Sequence, residues 1–547
     1  MNILEYLRKQ NTPIQAPCGG NGTCGKCLVS VDGGEPVRAC RTEYRQGMRI
    51  EPVSVLDDIF VPGMDQTGLS DEKTDADSDN SVDIKSHPER TNLKTAIAID
   101  IGTTTIAAAL CETGSGRIIA QESVVNPNAI FGSDVISRIK AGSEGHGAEM
   151  SERLRGSLID LAGKLYESAV TGDTILNDIV PARDNEDNGR NANDGRNKTC
   201  AIEQADIIVI AGNTTMIHTL MDYDLKPLGT FPYEPVNIGI IKGSVGELLG
   251  IKTSGSIFAT HMARCVIFPG ASAFVGGDII SGLFSLDEDS PVKKTGDIIA
   301  LLDLGTNGEM AVVTPNGIYC ASSAAGPVFE GGSISCGGPS VTGAIDHVEA
   351  RRNADGGFEV EYSVIGGDDH KAVSICGSGI IDCAYEAYRM GLCDERGTFL
   401  EDGAEFIISR DSGSPVISFT QADMRQVQLA KAAISAGFEI LCRRAGVSYD
   451  DIDRLYLAGG MGYGMRIDSA VGIGLVPYEL RERIIPAGNT SLKGALKLAS
   501  LADGRDEVLT HLSDLAKACR NVDLAADQDF QDIYIDRIDL PPLVQRQ

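Results

Sequence analysis

Two sets of residues in this 547-residue chain have the types and spacing of reactive chemistry. The first is Cys18, Cys24, Cys27 and Cys40, a C-x5-C-x2-C-x12-C pattern within and after the glycine-rich stretch APCGGNGTCGKC. Three thiolates on one turn and a fourth beyond a hairpin can surround a metal centre. The intervening glycines let backbone N–H groups point at sulfur, which stabilises negative charge. A zinc site with four thiolates usually presents two C-x2-C pairs, and only one is present here. The spacing therefore favours a [2Fe-2S] cluster over zinc.

The second set is a pair of turns. Asp100, Gly102, Thr103, Thr104 and Thr105 follow the apolar run TAIAI, and Asp303, Gly305, Thr306, Asn307 and Gly308 follow DIIALL. Each is a strand ending in Asp, then Gly, then hydroxyl or amide side chains. Such a turn offers backbone N–H groups and hydroxyls to phosphate oxygens, and its Asp can hold Mg²⁺ directly or through water. One copy is weak evidence. Two copies at matching places imply two facing hairpins that clamp one nucleotide, with Asp100 and Asp303 opposed across it. Gly459, Gly460 and Gly462 follow another apolar strand, where backbone could pass close to an adenosine. Neither a Walker A sequence nor a G-x-G-x-x-G opening a βαβ unit is evident.

The elements that must position these residues fall into four stretches. Residues 1–62 read as a small unit: a helix at ILEYLRKQ, the cysteine turn, and strands LVSV and EPVRA joined through Asp32-Gly33-Gly34. Residues 63–94 are acidic and poor in large apolar side chains, the composition of a flexible linker. Residues 95–295 form a first α/β lobe, interrupted near 183–199 by a polar insertion expected to be disordered, and 296–547 a second lobe. Near-continuous apolar strands such as ADIIVIAGN and RLYLAGGMG require a sheet covered on both faces, alternating with helices such as SDVISRIKAG and QVQLAKAAISAGFEILCRRAG.

A net charge of −29 argues against nucleic acid and anionic membranes as partners. No segment reads as a signal peptide or a membrane span, so a cytoplasmic protein is expected. The remaining cysteines, among them Cys111, Cys200, Cys265, Cys320, Cys336 and Cys376, are scattered singly, as reduced buried hydrophobes are. No second cluster is expected.

PCGGNGTCGKC resembles the cluster loop of [2Fe-2S] ferredoxins, which implies a ferredoxin-like (β-grasp) domain. The two phosphate turns and the adenosine turn, with PGASAFVGGDIISGL and NTSLKGALKLAS where connecting helices belong, resemble the ASKHA superfamily of acetate and sugar kinases, Hsp70 and actin. The combination, together with AGNTTMIHTLM, FPGASAFVGGDI, LLDLGTNGEMAV, ICGSGIIDCA and LAKAAISAG, resembles the reductive activators of corrinoid-dependent methyltransferases over nearly the whole chain. That resemblance implies an enzyme that uses ATP and Mg²⁺ to pass one electron through a [2Fe-2S] cluster to a corrinoid protein, reducing Co(II) to Co(I). It also implies a low-potential electron donor and a homodimer through the ASKHA-like region. The competing readings are an ASKHA-type kinase with a redox-sensing cluster and a nucleotide-controlled redox binding module.

Four further features bear on the site. Glu309 could position water or magnesium, or be an exposed strand carboxylate, with nothing to separate the two. Glu330, beside Gly331 and Gly332, is read as approaching the nucleotide. Gly377-Ser378-Gly379 opens a helix whose N-terminus would attract anions. Lys431 is read as a solvated helix lysine in preference to an adenosine contact.

Overall fold

The computed structural model describes residues 1–10, 14, 27–34, 36–52, 94–171, 205–250, 263–286, 296–353, 357–367, 369–401, 403–410, 416–460, 464–502 and 504–543. Cys18, Cys24, Gly462, the linker up to residue 93 and the 183–199 insertion lie outside them.

At the N-terminus the helix Ile3–Lys9 packs over β1 (Leu28–Val31), β2 (Val37–Arg38) and β3 (Ile50–Pro52), an antiparallel sheet in the order β2-β1-β3. Asp32 and Gly33 both have positive φ, 52° and 75°, which matches the turn twist to the strand twist of the hairpin. Ile3, Leu4, Leu7, Val29 and Ala39 form a small core that also takes in Cys27 and Cys40.

The first large sheet is built from β4 (Thr95–Ile101), β5 (Thr105–Glu112), β6 (Ile118–Val125), β7 (Ile207–Gly212), β8 (Ile241–Ser244) and β9 (Arg264–Ile267), ordered β6-β5-β4-β7-β9-β8. The second half contributes β10 (Ile299–Leu304), β11 (Gly308–Thr314) and β12 (Gly317–Ser323). It then adds two small sheets: β13 (Ala344–Arg352) with β14 (Phe358–Val364) and β15 (Ser374–Ile375), and β16 (Glu405–Ser409) with β17 (Ile417–Thr420). After these come β18 (Arg454–Ala458), β19 (Ile484–Gly488) and β20 (Cys519–Asn521), giving the order β19-β18-β10-β11-β12-β20. Both large sheets share one plan. An antiparallel meander (β4-β5-β6, β10-β11-β12) is extended on its first strand by parallel strands (β7 and β9, β18 and β19). Each phosphate turn is the first hairpin of its meander.

Alternation along the strands explains how both faces are covered. Ile97, Ile99 and Ile101 meet Leu154, Leu158, Leu161 and Leu165 of the helix Gly147–Thr171. Ala96 and Ala98 face the other way and let the helix Thr490–Ser500 approach through Leu492, Ala495 and Ala499. In the second sheet Ile299 and Leu301 meet Ile279 and Leu283 of the helix Gly277–Leu286, while Ala300, Leu302 and Leu304 share a core with Ala430, Ile434 and Phe438. The helix Gly277–Leu286 therefore lies between the sheets, with Ile279 and Leu283 in the second core and Ile280 and Phe284 in the first, while the helix Thr490–Ser500 covers the first sheet. They cross at contact distance, since a Cβ on Gly494 would lie 2.0 Å from the Ser281 carbonyl oxygen. Ser281 Oγ donates to the Ser491 carbonyl at 2.6 Å, fixing the crossing.

Lys431 corrects the sequence reading. The helix Gln421–Ala445 is buried over most of its circumference, and Lys431 is 1 % exposed. Its Nζ donates to the Asp539 carbonyl at 2.6 Å, and Tyr388 Oη donates to the Pro541 carbonyl, so the C-terminal segment is held by buried donors. Burial, then the positive charge of Arg537, lowers the lysine to about 7. The unfolded chain therefore binds more protons there than the folded one between about pH 7 and the ordinary lysine value. Stability is expected to rise across that interval, and Lys431→Met to flatten the rise, as read by thermal denaturation at pH 7 and pH 9.5. An unchanged pH slope in the variant would show that Lys431 is not its source.

Candidate nucleotide cleft and cluster site

Cys27 and Cys40 are both buried in the small N-terminal core, and the Cys40 N–H donates to Cys27 Sγ at 3.5 Å. Thirteen residues of sequence separate them, and the β1-β2 hairpin closes that gap. Two thiols at the edge of an apolar core, one already receiving a backbone N–H, suit a cluster whose sulfurs are held by hydrogen bonds. The pair fits two of the four thiolates that a [2Fe-2S] group needs, and Cys18 and Cys24 lie outside the described residues.

Asp100, Gly102, Thr103, Thr104, Thr105, Asp303, Gly305, Thr306, Asn307, Glu309, Gly459 and Gly460 all line one cleft between the two large sheets. Gly308 is in β11 at the end of its turn, paired with Leu304. The turns meet directly, with Thr104 Oγ1 3.4 Å from Thr306 Oγ1. Gly459 has φ 93°, and a Cβ there would fall 2.5 Å from the Leu304 carbonyl oxygen and 2.8 Å from Asp303 Oδ1. Only glycine lets this turn come so close to the second phosphate turn. Gly377, at the start of the helix Gly377–Arg389, also lines the cleft.

Acidic groups dominate the electrostatics. Asp100 accepts from Asn489 Nδ2 at 2.8 Å and Ser491 Oγ at 2.7 Å; desolvation raises its carboxyl and these bonds partly offset the rise. Desolvation lifts Asp278 to about 7, against the pull of the Ile279 N–H, and the negative charge of Asp100 adds to the lift. Asp303 is pushed up to about 8 by desolvation, then by the negative charges of Asp278, Asp100 and Glu330. Glu309 is buried, accepts from Asn307 Nδ2 at 3.2 Å, and is raised well above the usual carboxylate range by burial and by Asp278 and Asp303. The structure thus removes the exposed-strand reading of Glu309. Among the described residues no three ligands form a ready-made metal site. Carboxylates that crowd one cleft without converging fit a cation such as Mg²⁺, which binds through one or two carboxylates plus phosphate and water.

Sequence reasoning missed four polar groups of this cleft. Asp278 heads the helix Gly277–Leu286, and Asn489 and Ser491 head the helix Thr490–Ser500. Asn213 caps the helix Thr214–Leu220 and donates to Thr103 Oγ1 at 3.0 Å. The available signal was positional for three of them: Asp278, Asn489 and Ser491 lie in the two segments placed where connecting helices belong.

The fold and cleft define the class: a two-lobed ASKHA-type protein preceded by an iron–sulfur domain. Residues 2–54 match the "2Fe-2S iron-sulfur cluster binding domain", 95–182 and 195–289 the "RACo middle region", and 297–546 the "C-terminal domain of RACo the ASKHA domain". The chain is 27% identical over 613 residues to the corrinoid activation enzyme RamQ of Eubacterium limosum, covering 96% of this chain and 93% of the relative. It is 26% identical over 294 residues to the [Co(II) methylated amine-specific corrinoid protein] reductase of Methanosarcina barkeri, over 50% of this chain and 52% of that protein. A solved structure described as a reductive activator for corrinoid,iron-sulfur protein superimposes with a TM-score of 0.67 at 25% identity, over 99% of this chain and 96% of that one. By its domains, in this order, the chain belongs to the RACo family.

Proposed function

We propose that the chain is an ATP-dependent reductive activator that delivers a single low-potential electron to a corrinoid protein, returning inactive Co(II) to Co(I) in a methyltransferase or O-demethylase system. The observation that carries this reading is the joining, in one RACo-family chain, of a paired-cysteine iron–sulfur domain with a cleft closed by two facing phosphate turns. The relatives named for corrinoid activation and Co(II) corrinoid reduction support it.

A [2Fe-2S] group, when bound by Cys18, Cys24, Cys27 and Cys40, supplies one-electron transfer. The rest falls to the chain. Thr104 and Thr306 offer hydroxyls to a terminal phosphate from opposite sheets, so nucleotide binding draws the sheets together. Asp100, Asp278 and Asp303 would hold Mg²⁺ directly or through water, and Asn489 with Ser491 fixes the orientation of Asp100. Coupling to ATP has a physical reason. Each 59 mV uphill costs a factor of ten for one electron, so a gap of about 200 mV costs about 5 kcal/mol. No helix among the described residues is long and apolar enough to cross a membrane.

The test is anaerobic reduction of a Co(II) corrinoid protein by the full chain and a low-potential chemical donor, followed through the Co(I) absorption band with and without Mg·ATP. Co(I) formation that requires both the chain and ATP is the expected result. ATP consumption unaffected by the corrinoid protein, with phosphate passed to a small hydroxyl acceptor, would make the chain a kinase instead.

A further inference from the structure

The cleft carboxylates differ in what they already hold. Asp100 is occupied by Asn489 and Ser491, Asp278 by the Ile279 N–H, and Glu309 by Asn307. Glu330, on the 3-10 turn Pro327–Glu330 after β12, instead takes the hydroxyls of both phosphate turns. Thr104 Oγ1 donates to Glu330 Oε2 at 2.8 Å and Thr306 Oγ1 donates to the same oxygen at 2.5 Å. One hydroxyl belongs to each sheet. A terminal phosphate that claims them would leave the carboxylate about one water away from phosphorus, the reach a general base needs.

Arg138 is a second, independent observation. It lies on the helix Val135–Ala141 in the first lobe and is fully buried. Its Nε donates to the Gly132 carbonyl at 3.0 Å and its Nη1 to Met216 Sδ at 3.3 Å, while Nη2 has no partner among the described residues. Met216 Sδ also accepts from Asn126 Nδ2, and that amide donates to the Gly102 carbonyl of the first phosphate turn. A buried cation therefore stands behind the turn. Desolvation raises the Glu330 carboxyl, and the hydroxyls of Thr306 and Thr104, then the charge of Arg138, offset part of that rise. When phosphate takes the hydroxyls, Arg138 remains to favour the ionised carboxylate.

We propose that Glu330 is the general base for ATP hydrolysis, receiving a proton from the water that attacks the terminal phosphate. The water oxygen forms a bond to the γ-phosphorus, and the bond from that phosphorus to the bridging oxygen breaks. ADP leaves with the electron pair, and the proton passes to the Glu330 carboxylate and then to phosphate or solvent. In the nucleotide-free protein the same carboxylate holds the two turns in register. The inference rests on the ATP reading above.

The experiment measures two quantities on the full chain: the dissociation constant for Mg·ATP by equilibrium dialysis, and single-turnover hydrolysis with enzyme in excess. For Glu330→Gln the expected result is affinity within about threefold of the parent and a hydrolysis rate lower by about 10²–10⁴-fold. Glu330→Ala should show a similar loss, with the rate partly restored by added formate, a small carboxylate that can enter the vacated space. Hydrolysis in Glu330→Gln within about fivefold of the parent would overturn the proposal. So would a loss of rate fully matched by a loss of affinity, which would make Glu330 only a tie between the turns. A parent protein that binds Mg·ATP without hydrolysing it would overturn both this inference and the hydrolytic part of the reading above. A hydrolysing parent with an unimpaired variant overturns this inference alone.

Discussion

Cys27→Ala is expected to purify without the visible absorption and the reduced-state EPR signal of an iron–sulfur cluster, while the two large sheets unfold at an unchanged temperature. Cys27 is fully buried among Ile3, Leu4 and Val29, so alanine removes only the sulfur atom and leaves a small cavity with apolar walls. The apolar packing of the small domain therefore survives. The cluster does not, because three remaining thiolates leave one iron with an open coordination position. The small core shares no residue with the cores of the large sheets, and that separation is why loss of the cluster should not spread. The parent, purified anaerobically and reconstituted, should carry about two irons and two acid-labile sulfides per chain. Stoichiometric zinc without iron in the reconstituted parent would sink the [2Fe-2S] assignment, and a parent-like iron content in Cys27→Ala would remove Cys27 from the ligand set.

How much of this was legible in the sequence depends on the range over which each feature is determined. The strands before the phosphate turns were readable because TAIAIDI and IALLDL are apolar on both faces, and sheets sandwiched between helices demand that. The cluster hairpin was readable from Asp32-Gly33-Gly34, a local turn signal, whereas β3 is too short to register. The helix start at Gly377 followed from a local change of pattern.

Features fixed by distant contacts were not readable. Asp100 finds Asn489 and Ser491 across 389 and 391 residues, and nothing near either end announces the pairing. Asp278 joins the cleft because its helix is packed between the two sheets, an arrangement set by long-range contacts. Lys431 was misread for a related reason. A charge on an amphipathic helix usually points to water, but the helix Gln421–Ala445 is covered on its other side by the C-terminal segment, whose Asp539 carbonyl receives the ammonium. Glu330 was assigned to the nucleotide side from its glycine neighbours alone. Its bond to both turns depends on the two sheets facing each other, which no local pattern encodes.

Asp303→Ala is expected to abolish Mg²⁺-dependent ATP hydrolysis, a loss of about a thousandfold or more, and at the same time to make the nucleotide-free protein more resistant to heat. The two effects have one cause. Asp303, the last residue but one of β10, feels Asp278, Asp100 and Glu330, and desolvation together with their negative charges pushes it up to about 8. A carboxyl held that high must take up a proton on folding at neutral pH, which costs stability, and alanine removes that cost. The same crowding makes the cleft a place for a divalent cation, whose stabilisation of phosphoryl charge is worth several kcal/mol; about 4 kcal/mol corresponds to about a thousandfold in rate. In the parent, Mg·ATP should raise the unfolding temperature by mass action, and in the variant that rise should vanish. The cluster spectrum should be identical in both, because the small core contains no residue of the cleft. Thermal unfolding with and without Mg·ATP, beside a phosphate-release assay, reads all of these effects on one preparation. Full hydrolysis in the variant would make the second turn purely structural. Lost hydrolysis with an intact Mg·ATP-dependent rise in unfolding temperature would mean that Asp303 serves the chemical step rather than the binding of the metal–nucleotide complex.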